Sequence, residues 1–465
     1  MKYLLKYCIV LFLIFTYGCK SETELPQNPT TPPEVSNLDT LQFIRQLKED
    51  TFHFFWDIAD NETGLIPDRA PTESFSSIAA VGFGLTAYIV GVENGYISRF
   101  EAVQRVKKTL EFLKSLPQSN SSIQVGGYKG FFYHFLDMNT GYRYREVELS
   151  TIDTALLMAG ILSCQSYFDG DTEDELSIRN VADELYRAVD WQWAMNDKAK
   201  MSLGWIPEEG FLPFEWTGYN EAMILYILGL GSPTYPLDES VWPAWTSTYE
   251  VGSFQGFTHI NFGPLFGHQY SHIYIDFRGI NDDYTATLGF DYFENSRRAT
   301  LSNRAYCIEN PGRFRGYSEN IWGLTASDGP GNVQEGGQVF YDYRARGAAR
   351  NYQVDDGTIA PTAAGGSYAF TPEESKKALS AMYSIYGDRL YGAYGFKDAF
   401  NPTYIYGETN AAGWIAKDYL GIDQGPILLM IENHESELIW SVMKKNPYIR
   451  NGLIRAGFEG GWIDE

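Results

Sequence analysis

Residues 205–236 read WIPEEGFLPFEWTGYNEAMILYILGLGSPTYP. The apolar run Ala222-Met223-Ile224-Leu225-Tyr226-Ile227-Leu228 predicts a buried helix over 217–230, with Asn220 as its N-cap and Gly229/Gly231 as its stop. Glu221 then falls in the first helical turn, beside Trp216 and Tyr219. A carboxyl group at the mouth of an apolar helix among aromatic rings points to acid chemistry on a sugar. A bland reading stands beside it, because an acidic residue in a first turn also complements the helix dipole, worth at most about 1 kcal/mol.

The helical pattern recurs along the chain. Leu41, Ile44, Leu47, Phe52, Phe55 and Ile58 mark one apolar face. Further helices are expected at 78–90, 102–116, 151–162, 181–193, 284–305, 372–385 and 425–446. Strand-like segments are few and short, for example Tyr128 to Leu136 and His272 to Phe277. Successive helix pairs without alternating strands favour an all-α fold, an α/α toroid of about a dozen helices, over an α/β barrel. An α-solenoid competes, but no fixed repeat length is visible.

At the N-terminus, Lys2 and Lys6 precede the apolar run Cys8 to Phe15, and Gly18-Cys19 follows. That is the layout of a secretory signal, too short for a comfortable membrane span. Its cysteine resembles that of a bacterial lipoprotein signal, with residues 1–19 as signal and Cys19 as the lipidated terminus. Residues 20–37, KSETELPQNPTTPPEVSN, read as a flexible tether, and 38–465 as a single catalytic domain. The expected location is the periplasm or outer membrane of a Gram-negative bacterium. The lipid anchor is the sole membrane contact expected, and the body is expected to be a monomer.

With 36 Lys and Arg against 59 Asp and Glu, the net charge of −23 repels polyanions, which excludes nucleic acid as a natural partner. Hydrophobic residues make up 44% of the chain, enough for a large core. Only Cys164 and Cys307 lie beyond the signal, so the fold is not built on disulfides. Whether they pair is open from the sequence.

Residues 252–281 hold three of the six histidines. His268 and His272 are four apart, but without an HExxH pattern, and among glycines, hydrogen-bonding roles are favoured over a metal site. No metal and no cofactor is expected. Glycoside hydrolysis needs two carboxyl groups, one protonated and one ionised. Glu221, Asp153 and Asp423 each stand near the start of an apolar helix, where a toroid brings helix ends to one face. For Asp153 and Asp423, helix capping explains the position equally well.

The phrases STIDTALLMAGIL, GYNEAMILYILGLGSPTYP, GPLFGHQYSHIYIDFRG, DGTIAPTAAGGS and YLGIDQGPILLMIEN resemble those of the bacterial glucoamylase-like proteins of glycoside hydrolase family 144, over roughly Asp39 to Phe458. The resemblance implies an (α/α)6 barrel, no catalytic metal, and hydrolysis of β-1,2-glucans with inversion. It covers both endo-acting enzymes and exo-acting ones that release sophorose from the non-reducing end. It places the general acid at Glu221 and a further acidic position at Asp153, with Asp153 and Asp423 both open as the base and Glu148 a weaker choice. Exo action with disaccharide release is the expectation. The competing readings are endo cleavage, an α-glucan hydrolase of glucoamylase type, and a non-catalytic glycan-binding lipoprotein.

Ring stacking on pyranose faces nominates Trp216, Tyr219, His268, Tyr270 and Trp322 as substrate contacts. In a chain with 16% aromatic residues, a core role competes for each.

Overall fold

The computed structural model describes residues 40–407 and 413–465. The expected signal, the Cys19 lipidation site and most of the tether lie outside the described residues. Among those described, the helices used below are α1 (Thr40–Asp57), α2 (Ile78–Glu93), α3 (Arg99–Ser115), α4 (Thr151–Tyr167), α5 (Glu173–Ala188), α6 (Met223–Gly231), α7 (Tyr270–Tyr274), α8 (Tyr292–Glu309), α9 (Pro361–Gly365), α10 (Pro372–Tyr386), α11 (Gly421–Ser436), α12 (Leu438–Lys444) and α13 (Pro447–Arg455). The strands are two to four residues long and mostly paired as isolated hairpins.

Two kinds of helix alternate. Helices α2, α4, α6 and α11 are buried on nearly every side, as apolar sequence all round requires. Helices α1, α3 and α5 bury one stripe and expose the other. The buried set pack on one another, α2 on α4, α4 on α6, and α11 on α2, while α3 packs on α5 and α5 on α4. The α2–α4 crossing is close because both helices place glycine there. A Cβ on Gly160 would stand 2.1 Å from the Gly82 carbonyl oxygen, and one on Gly82 would stand 2.4 Å from that of Leu156.

Short strands gather the starts of these helices at one end. Ser76–Ser77 leads into α2 and pairs with Phe135–Leu136; Leu149–Ser150 leads into α4 and pairs with Gly204–Ile206; Tyr419–Leu420 leads into α11 and pairs with Arg69–Ala70. Bridges between Pro67 and Ser76, and between Tyr133 and Leu149, join these pairs into a continuous rim. Ser77 and Ser150 cap α2 and α4 by accepting from Ala80 N and Asp153 N.

Several boundaries differ from expectation. The helix expected over 217–230 begins at Met223, because Asn220 Oδ1 accepts from Ala222 N at 3.0 Å in a local turn that competes with the helix. Glu221 therefore precedes the helix. The strand expected at His272 to Phe277 starts instead as the helical turn α7, whose His272 carbonyl accepts from the Trp440 indole at 2.7 Å. Here packing overrides β propensity. Expected helix 284–305 is two, Asp283–Leu288 and α8, broken at Gly289 with φ +73°. Expected helix 425–446 is α11 and α12, broken where Glu437 turns left-handed. Cys164 and Cys307 are both buried and free. No helix among the described residues is long and apolar enough to cross a membrane.

Candidate active site

The rim carries the expected carboxyl groups. Asp153 is the third residue of α4, Asp423 the third of α11, and Glu221 lies two residues before α6. Ser271 ties Glu221 to the neighbouring α7, because its hydroxyl donates to the Glu221 carbonyl at 2.8 Å and accepts from Ile224 N at 3.0 Å. Tyr270, the first residue of α7, is thereby held beside the site. Burial, followed by the charges of Asp423, Glu221 and Asp153, pushes its phenol well up, so the three expected carboxyls all act on this one ring.

Glu221 sits where a carboxyl keeps its proton. Burial, reinforced by the charge of Asp153, pushes its carboxyl up to about 7, and its buried Oε2 has no hydrogen-bond partner. A protonated carboxyl with one oxygen unspent can give its proton to a substrate oxygen.

Asp153 is held differently. The Ser150 hydroxyl donates to its Oδ2 at 2.5 Å, and His134 Nε2 lies 3.5 Å from the same oxygen. His134 Nδ1 is 2.9 Å from Glu148 Oε1. Burial opposes a charge on this imidazole, but Asp153 and Glu148 overcome it and hold the ring at about 9. At neutral pH Asp153 thus faces a cation.

Asp423 belongs to a second acidic group that sequence reasoning did not find. Asp398, in the connection after strand Gly395–Phe396, sits against it. Burial and Asp328 push Asp398 up to about 7, and burial and Asp398 push Asp423 well above the carboxylate range. Two buried carboxyls in contact hold one proton between them, because both cannot be charged in so little solvent. Asp328 N donates to Asp398 Oδ2 at 2.7 Å, and Arg69 pairs with Asp328 at 2.8 Å and Asp68 at 3.1 Å. Half-exposed Tyr343 stands within electrostatic reach of Asp423, Asp398, Asp68 and Asp328. Asp398, Asp68, Asp328 and Tyr343 lie on loops with no periodicity to flag them, and His134 lies in the strand-like segment Tyr128 to Leu136, where alternation carries no signal of a site.

The aromatic candidates are all buried and differ in what surrounds them. Tyr270 joins the carboxyls. Trp216 is 9% exposed, with its indole donating to Thr151 Oγ1 at 3.0 Å. Tyr219 is enclosed, its ring 4.8 Å from that of His268 and its hydroxyl 3.3 Å from Ser296 Oγ. His268 is fully buried, and burial pushes its imidazole well down; His272, pushed down to about 3 by burial, meets Ser296 Oγ at 3.0 Å. Trp322 is fully buried in a second apolar cluster with Ile359 and Leu379. As placed, Tyr219, His268 and Trp322 are buried within the core, because large rings are the means by which this body fills it. Among the described residues, no group of three or more His, Cys, Asp or Glu is arranged to hold a metal ion.

Carboxyls in distinct protonation states on the rim of a mostly helical body define the class of site found in acid–base sugar chemistry. The chain matches the family model described as Putative glucoamylase over residues 213–447. It belongs to that family. A crystal structure of a putative glucoamylase from Bacteroides uniformis ATCC 8492 superposes with a TM-score of 0.80 at 34% identity, covering 92% of this chain and 99% of that one. An endo-β-1,2-glucanase from Chitinophaga pinensis, in complex with sophorotriose and glucose, superposes at 0.79 with 31% identity, covering 92% and 100%. An exo β-1,2-glucooligosaccharide sophorohydrolase (non-reducing end) of Parabacteroides distasonis is 30% identical over 446 residues, 89% of this chain. The chain spans 57% of the length of that relative.

Proposed function

We propose that this protein hydrolyses β-1,2-glucooligosaccharides with inversion at the anomeric carbon, as an exo enzyme releasing sophorose from the non-reducing end. The observation that carries the reading is Glu221, a carboxyl pushed up to about 7 beside the charge of Asp153, with Oε2 unspent. In this mechanism Glu221 protonates the departing glycosidic oxygen. An ionised carboxylate activates water on the opposite face of the sugar, across the roughly 6.5–9.5 Å that such a water needs, or farther through a substrate hydroxyl. Asp153, facing the His134 cation, suits that role better than Asp423, which shares its surroundings with Asp398.

The helix order and the packing of α2, α4, α6 and α11 support an (α/α)6 toroid with the carboxyls at one mouth. Tyr270 and Tyr343 form a sugar-facing wall, with Trp216 positioning the loop behind it. We further infer a monomer, anchored through Cys19 in the periplasm or outer membrane; [3H]palmitate labelling lost in Cys19→Ala tests the anchor.

Endo cleavage is the second reading, favoured by similarity to the Chitinophaga pinensis endo-β-1,2-glucanase over its whole length. Product analysis on linear β-1,2-glucan and its short oligomers, with soluble starch as control, decides. Sophorose as the dominant early product supports exo action, and a ladder of mixed oligomers supports endo action. Cleavage of starch alone overturns the β-1,2 reading.

A further inference from the structure

His134 is held at every polar atom. Its backbone N–H donates to the Glu148 carbonyl at 2.9 Å, and its carbonyl accepts from Ile78 N at 3.3 Å. Its ring lies 3.9 Å from that of Phe135, nearly parallel. Nδ1 meets Glu148 and Nε2 meets Asp153, so the ring bridges two carboxylates that flank the start of α4. The side chain is 28% exposed, so it is part-buried and still reaches solvent.

Both contacts to Asp153, from Ser150 and from His134, fall on Oδ2. Oδ1 takes part in neither contact. A cation on the far oxygen does two things for a water-activating carboxylate. It keeps the group ionised despite burial, and it fixes which oxygen is turned outward. An unbalanced cation there would repel the positive charge that develops on the sugar, but Glu148 on the other ring nitrogen offsets it. The charged groups facing His134 are Glu148, Asp153 and Asp68, and Asp68 is itself paired with Arg69, which also pairs with Asp328.

We propose that His134 is a positioning residue, an imidazolium clamped between Glu148 and Asp153 that keeps the Asp153 carboxylate ionised and turned toward the substrate. This rests on the reading of Asp153 as the base opposite Glu221. It also gives Glu148 a role as the balancing charge.

The test combines an NMR titration of the His134 ring with pH profiles of kcat and kcat/KM on β-1,2-glucooligosaccharides. In the wild-type protein the ring titrates well above 6.5, and Asp153→Asn and Glu148→Gln each lower that midpoint. His134→Gln lowers kcat at least tenfold with KM changed less than about twofold. Its acidic limb moves up, because a carboxylate at this place loses its neighbouring cation. His134→Lys, which restores a cation, moves the limb back. If His134→Gln does not fold, Glu148→Gln still reports through a smaller movement of the limb in the same direction. A ring midpoint near 6.5 in the wild type, or one that ignores Asp153→Asn, overturns the inference. So does a His134→Gln enzyme that loses kcat with its acidic limb in place. Full turnover in Asp153→Asn overturns the base reading beneath it, an outcome distinct from an inactive Asp153→Asn with a limb that ignores His134.

Discussion

The indole N–H of Trp216 donates to Thr151 Oγ1 at 3.0 Å, which fastens the loop carrying Glu221 to the first turn of the helix carrying Asp153. Thr151 Oγ1 in turn reaches the carbonyls of Ser202 at 2.9 Å and Leu203 at 3.0 Å. The spacing of Glu221 and Asp153 is therefore braced by a buried network independent of the carboxyls themselves. Trp216→Phe keeps the ring and removes the bond. It is expected to lower stability by about 1 kcal/mol and to reduce kcat more than it raises KM, read by thermal melts and steady-state kinetics.

Glu221→Gln keeps the side chain's shape and removes the proposed proton donor. We expect kcat to fall by about 10²–10⁴, the usual worth of general acid catalysis. In the wild type, activity requires Glu221 protonated, so kcat/KM declines as pH rises through about 7. An alkaline limb set well above that value would show that another group is the acid.

The same substitution is expected to stabilise the fold at alkaline pH. The Glu221 carboxyl titrates near 7 when folded and near 4.5 when unfolded. The stabilisation it lends is complete below the unfolded value and is lost as pH rises through 7. At pH 8 the native protein holds a carboxylate whose buried Oε2 has no hydrogen-bond partner. Glu221→Gln should then gain on the order of 1–3 kcal/mol, with no gain at pH 4, measured by denaturant unfolding at both pH values.

Arg346 and Asp356 form a fully buried bidentate pair at 2.7 and 2.8 Å, and Arg346 also donates to the Tyr341 carbonyl at 3.0 Å. This clamp holds the segment that carries Tyr343. Arg346→Met leaves Asp356 buried without its cation and should cost about 3–5 kcal/mol. Tyr343→Ala, on the exposed side, should leave stability within about 0.5 kcal/mol while raising KM severalfold. An unchanged KM would remove Tyr343 from the substrate wall.

Gly160→Ala tests the close crossing of α2 and α4. Its Cβ would meet the Gly82 carbonyl oxygen at 2.1 Å, with backbone on both sides and nothing flexible to yield. The expected loss is about 3 kcal/mol or more, read as a lowered unfolding midpoint at unchanged m-value.

Much of this architecture was legible in the chain. The cores of α2, α4, α6 and α11 were visible because a helix buried on every side must be apolar on every side. Asp153 and Asp423 were found because helix starts have a chemistry of their own, and Glu221 because it directly precedes an apolar run. The boundaries were less legible. The Asn220 turn displaced the start of α6, and Gly289 and Glu437 divided helices that periodicity alone would join.

What the sequence determined by itself was the helical class, the apolar inner helices and three carboxyl positions, because helix periodicity and capping are local properties of a few consecutive residues. Only the tertiary structure decided which rings face the site and which groups surround each carboxyl. Tyr219, His268 and Trp322 could not be told from Tyr270 by composition, since a ring reads the same in a core and in a cleft. Asp398 joins Asp423, and His134 joins Asp153, from distant loops that carry no period. The protonation state of a carboxyl depends on burial and on neighbouring charge, and both exist only after those loops have met.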